Sequence, residues 1–145
     1  MDKWSYSGHC RCGATDVLLR SSLEPGKFLP RSDSSVCEFC TRHDGIWISD
    51  PEGGLELSPE SRTLIRRNGK GIVEFHFCAR CDELAYAVDR IALSGRPVAI
   101  ARLRIFPDIV SEILGIKRVD FREETAEAGG QRRSRTWTPA VFGLE

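Results

Sequence analysis

Ile72-Val73-Glu74-Phe75-His76-Phe77-Cys78-Ala79-Arg80-Cys81 carries two signals at once. Its first six residues alternate, with Val73, Phe75 and Phe77 on one face and Ile72, Glu74 and His76 on the other, which is the period of a β-strand. Its last four place two sulfurs on one tight turn, where both can face a single cation. A strand that runs directly into such a knuckle predicts a mainly β chain with few short helices.

Working outward, all six cysteines fall in close pairs: Cys10-Arg11-Cys12, Cys37-Glu38-Phe39-Cys40 and Cys78-Ala79-Arg80-Cys81. Two such turns complete the tetrahedral thiolate shell that zinc prefers, with Zn–S bonds of about 2.3 Å. The N-terminus, Met1-Asp2-Lys3-Trp4-Ser5-Tyr6, has no apolar run of the signal-peptide kind, and no later stretch reaches the ~18 apolar residues of a membrane span. The expectation is therefore a cytoplasmic protein without a membrane partner. Its thiols stay reduced there, which favours metal over a disulfide framework. Lys+Arg and Asp+Glu are equal at 21 each, so no global field recruits nucleic acid.

The 145 residues fit one domain, 1–145, which at this size buries roughly 68–70% of its unfolded surface, so the core need not depend on metal alone. Short β-like runs dominate: Asp16–Leu23, Ile46–Ser49, Leu55–Leu57, Thr63–Ile65, Leu84–Val88 and Val98–Ile105, separated by Gly, Pro, Asp and Ser. Leu84, Tyr86 and Val88 read as one face. Asp108–Leu114 has helical spacing after Pro107, and Ser34-Ser35 can cap a short turn through Arg42. Residues 122–136 are polar, with Gly129-Gly130 and Arg132-Arg133, and read as a flexible loop. Trp137, Val141 and Phe142 then predict that the C-terminal stretch packs back on the body.

Three doublets allow three four-sulfur sites, and spacing alone does not choose. A four-thiolate zinc is net negative, so neighbouring cations should stabilise it. Arg11 lies inside the first doublet and Arg80 inside the third, whereas the middle one holds Glu38. Gly13 after Cys12 can take positive φ and turn N–H groups toward sulfur; Asp82 after Cys81 tolerates that conformation less well. These points favour Cys10/Cys12 with Cys78/Cys81. A ribbon-like pairing of Cys37/Cys40 with Cys78/Cys81, leaving Cys10 and Cys12 spare, stays open.

Gly8-His9-Cys10-Arg11-Cys12-Gly13, the Cys37–Cys40 doublet with Ser35 two positions before it, and His76-Phe77-Cys78-Ala79-Arg80-Cys81 together resemble the glutathione-dependent formaldehyde-activating enzyme family, which includes the centromere-protein-V-like proteins. The resemblance spans residues 4–105. It implies a mainly β, β-tent fold whose sheets are joined at a four-cysteine zinc knuckle, with a structural zinc on Cys10, Cys12, Cys78 and Cys81. In that family a middle CxCxxC motif carries a second, catalytic zinc. Here Ser35 stands at its first cysteine, and a neutral hydroxyl is a poor zinc ligand beside a thiolate. Cys37 and Cys40 would be the remaining ligands, with His43 as third, or else Asp44 or Glu38. Asp82 stands where the family usually has Gly.

The resemblance also implies carbon–sulfur lyase chemistry on a thiol–aldehyde adduct, with glutathione or another small thiol adduct as partner. Because glutathione is anionic, Arg42, Arg66 or Arg67 are the cations expected to hold its carboxylates. The alternative is a non-catalytic β-tent module that keeps only the structural zinc. Without a second metal, Cys37 and Cys40 are inert thiols or a redox pair, the latter helped by Arg42 and opposed by Glu38. His9 reads as a hydrogen-bonding or solvent-facing neighbour of the first knuckle, His76 as a packing residue and Trp47 as a core or pocket aromatic.

Overall fold

The computed structural model describes residues 3–33, 45–58, 61–67, 72–92, 95–121 and 123–142. Among them are eleven strands: β1 (Trp4–His9), β2 (Asp16–Ser21), β3 (Arg31–Asp33), β4 (Ile46–Ile48), β5 (Gly54–Leu57), β6 (Thr63–Arg67), β7 (Glu74–Cys78), β8 (Leu84–Asp89), β9 (Val98–Arg102), β10 (Lys117–Val119) and β11 (Thr138–Phe142). Two α-helices, α1 (Pro107–Val110) and α2 (Ala126–Thr136), accompany them. No helix among the described residues is long and apolar enough to cross a membrane.

The strands form one mixed, branched sheet. β6, β7, β8 and β9 make an antiparallel meander. The free edge of β9 is then shared. Its start pairs with β11, through Thr138 opposite Ala99, and its end pairs with β4, through Trp47 opposite Arg102. From β4 the sheet continues to β3 and to the parallel β10. β11 also runs parallel to β5, with Ala140 opposite Leu55, and β5 leads on to β2 and β1. The molecule is mainly β, as the doublet-tipped strand predicts.

Two apolar clusters fill the space on either side of the meander. Phe75, Phe77, Leu84, Trp47 and Trp137 belong to one, and Tyr6, Leu19, Tyr86, Val88 and Phe106 to the other. Every residue of β7, β8 and β9 is buried. The predicted single face of Leu84, Tyr86 and Val88 does not hold. His76 faces Tyr86 but Phe77 faces Leu84, so Ala85 is an extra residue in β8. This bulge advances the strand by one position and sends Leu84 to the opposite core from Tyr86 and Val88. Gly8 is required by a close approach: a Cβ there would stand 2.6 Å from the buried Phe106 ring.

The stretch read as a flexible loop, 122–136, is instead largely the helix α2. Thr125 caps it, its hydroxyl accepting from the Ala128 N–H at 3.0 Å, with Glu127 in the first turn and Arg133 and Arg135 in the last, as the helix dipole favours. Tertiary pairing holds it. Arg133 Nε donates to Asp89 Oδ2 at 2.7 Å, both side chains being buried. Arg132 binds both Glu124 oxygens at 2.8 and 3.0 Å and lies 3.6 Å from the Phe121 ring centroid. The helix expected over Asp108–Leu114 is only α1; Ile109 is buried, whereas Leu114 is almost fully exposed. The predicted turn from Ser34 to Arg42 lies outside the described residues.

Candidate metal centre

β1 ends at the first cysteine doublet and β7 at the third, so the strands deliver both knuckles to one place. The sulfurs of Cys10, Cys12, Cys78 and Cys81 all lie within 4.8 Å of one another. Cys10 and Cys12 Sγ are 3.6 Å apart, and Cys12 and Cys78 Sγ are 3.7 Å apart across 66 residues of sequence. A tetrahedron with metal–sulfur bonds of about 2.3 Å has sulfur–sulfur edges of about 3.8 Å. A disulfide would need about 2.05 Å. The donor set and its spacing therefore fit a single tetrahedral metal ion.

The two knuckles repeat one local design. In each, the first cysteine N–H donates to the carbonyl five residues on, Cys10 to Thr15 at 3.0 Å and Cys78 to Glu83 at 2.8 Å. In each, the residue after the second cysteine has positive φ: Gly13 at 80° and Asp82 at 64°. Backbone N–H groups face sulfur in both knuckles, from residues after Gly13 in the first and from residues ahead of Asp82 in the second. Ala14 N–H donates to Cys12 Sγ, Thr15 N–H to Cys10 Sγ, and the Arg80 and Cys81 N–H groups to Cys78 Sγ, all at 3.4–3.5 Å. Asp82 thus takes the glycine-like conformation, at the cost of some strain.

Protons leave these sulfurs unevenly. Burial raises the Cys78 thiol, but the Thr15 hydroxyl and the Cys81 and Arg80 N–H groups more than offset it and bring it to about 6. Cys10 is also lowered: burial opposes, and the Thr15 N–H and Cys12 outweigh it. At Cys12 the Ala14 N–H pulls downward, yet burial and the neighbouring sulfurs push the thiol up to about 11. Crowded thiolates repel one another, and a divalent cation removes that repulsion. The Thr15 hydroxyl lies beside Cys78 but lacks a partner at hydrogen-bonding geometry, alone among buried side-chain polar atoms of the described residues.

Charged residues brace the cluster from outside. Arg11 N–H donates to Glu83 Oε1 at 2.6 Å, and its guanidinium donates to the Cys81 carbonyl at 2.9 Å. The other Glu83 oxygen accepts from the buried Arg102 at 2.8 Å. Glu83 therefore ties the first knuckle to the second and to β9. Sequence reading missed Glu83 and Thr15; the one hint was a carboxylate standing directly before the fully apolar start of β8.

Of the other candidates, His9 is exposed and its Nδ1 lies 3.0 Å from the Cys10 carbonyl. His76 is buried, stacks on Tyr86 at 4.6 Å, and bonds Thr63 and Glu74 at 2.8 and 3.1 Å. Trp47 is a core aromatic beside Phe75. Arg66 pairs with Asp82, and Arg67 with Glu74. Cys37, Cys40 and His43, together with Ser35, Glu38, Arg42 and Asp44, lie outside the described residues. No protein-family model, no curated protein and no solved structure matches the chain.

Proposed function

We propose that this is a zinc protein in which Cys10, Cys12, Cys78 and Cys81 hold one structural zinc ion. The observation that carries the reading is four sulfurs at tetrahedral spacing, contributed by two knuckles of the same design. Four thiolates fill the coordination shell and leave no open position, which is the arrangement of structural rather than catalytic zinc. The ion clasps β1 to β7, elements that no ladder joins directly among the described strands. A reducing, cytoplasmic setting suits it, because oxidised sulfurs could not bind metal.

A second reading is supported by the doublet this centre does not use. Cys37 and Cys40, with His43, would hold a second zinc with an open position, as the resemblance to glutathione-dependent formaldehyde-activating enzymes implies. The protein would then be a carbon–sulfur lyase acting on a thiol–aldehyde adduct, glutathione's being the obvious case. Metal content separates the two. One zinc per chain, retained in Cys37→Ala and Cys40→Ala, supports the structural module; two, falling to one in those variants, supports the enzyme. Loss of all metal in Cys37→Ala would overturn the four-sulfur assignment.

A further inference from the structure

We propose that Arg31 is the centre of an oxyanion-binding site, distinct from the sulfur cluster, that takes a phosphate or carboxylate group. Arg31 opens β3 and is half-buried. A guanidinium carries five N–H donors in a fixed fork. The guanidinium makes one hydrogen bond among the described residues: Nη2 donates to Ser49 Oγ at 2.7 Å. The Ser49 hydroxyl is itself committed, donating to the Thr136 carbonyl at 2.7 Å in the last turn of α2. No carboxylate of the described residues pairs with Arg31.

The surroundings worsen the imbalance. Burial disfavours the Arg31 charge, and Arg132, one turn before Thr136 on α2, adds repulsion to it. Arg132 is neutralised by Glu124, to which it makes two hydrogen bonds, so Glu124 has no spare fork to offer Arg31. The carbonyl end of α2 supplies roughly half a compensating charge. Among the described residues, what remains is a partly desolvated cation with unused, parallel donors and no full counter-charge, an arrangement that costs free energy unless an anion completes it. Arg forks match carboxylate and phosphate oxygens bidentately, and that geometry defines the ligand class.

The test is a titration of the full-length, zinc-loaded protein with inorganic phosphate and, separately, with succinate, each against sodium chloride at equal ionic strength. Saturable movement of the Arg31 Nε–H resonance and a rise in thermal midpoint are expected with at least one of the two. The responding anion identifies the source as phosphate or carboxylate. Arg31→Gln should fold and lose the response, Arg31→Lys should bind at least tenfold more weakly, and Arg118→Gln, an exposed change on the neighbouring β10, should behave as wild type. An Arg31 resonance that neither anion moves through the millimolar range overturns the proposal, as does an undiminished response in Arg31→Gln. Should Arg31→Gln not fold, the wild-type resonance decides alone: a shift no larger than that with sodium chloride means a carboxylate of this chain already neutralises the charge.

Discussion

Replacing Arg133 by Met tests whether α2 is fastened by charge. Asp89 is 2% exposed and has two partners, the Ile91 N–H at 3.1 Å on Oδ1 and Arg133 at 2.7 Å on Oδ2. Removing Arg133 strands a buried carboxylate with one neutral donor. Breaking such a pair costs about 3–5 kcal/mol, against a total stability of about 5–15 kcal/mol. At this chain length the melting midpoint should drop by roughly 10 °C. Asp89→Leu alone should cost a similar amount, because it leaves a buried guanidinium. The double variant should recover most of the loss, keeping only the uncapped Ile91 N–H at about 1 kcal/mol. Urea unfolding in excess zinc, followed by far-UV circular dichroism and by fluorescence of Trp137 beside the Arg133 guanidinium, measures all four states. Salt should change the coupling little, since the pair is shielded from solvent ions. Singles that cost less than ~1 kcal/mol, or a double variant equal to their sum, would refute the reasoning.

Other expectations are simpler to check. Cys78→Ser should abolish metal binding and unfold or aggregate the chain, because structural zinc contributes roughly 10–16 kcal/mol in small peptides, whereas Cys40→Ser should stay folded; equal melting losses would contradict the ranking. Gly13→Ala should cost about 1–2 kcal/mol from positive φ alone, as its Cβ would meet nothing within 4 Å, and Asp82→Gly should be neutral or stabilising by up to about 1 kcal/mol despite losing the exposed Arg66 pair. Burial holds His76 below its ordinary value of 6.5; the unfolded chain therefore binds the proton more readily, and stability should fall as pH drops below about 6.5, a slope that His76→Gln removes. Glu74, which burial would raise but Arg90 and His76 lower, adds stability above its ordinary 4.5 that is lost in acid, and Glu74→Gln should flatten that limb of a pH series of urea midpoints.

The sulfur cluster was legible because its chemistry is written in residue type and local spacing. Gly13 and the arginines inside two doublets pointed to the pair of knuckles that the fold brings together, although Arg11 acts by donating to the Cys81 carbonyl rather than as a diffuse charge. Strands β2, β7 and β9 were legible from alternation or apolar runs bounded by turn residues. The bulge at Ala85 was not, since one inserted residue leaves no mark in a strand that is apolar throughout. α2 was hidden for a different reason. Its only apolar side chains are two alanines before two glycines, and it is fixed by Asp89 and Glu124, partners that no local window pairs with arginine. His76 reads as a packing residue and is one, but nothing local showed that Glu74 beside it is interior too, because Arg67 and Arg90, which pair with its carboxylate, lie 7 and 16 residues away.

β11 is bonded to β9 through Thr138 and Pro139 and to β5 through Ala140, Val141 and Phe142. It is a keystone: five residues occupy the gap between two margins that would otherwise lie bare. Cleavage just ahead of it would uncover both margins together, and unsatisfied margins recruit strands from other molecules. An affinity tag or fusion partner joined there belongs beyond Phe142, behind a spacer slack enough to leave the keystone seated.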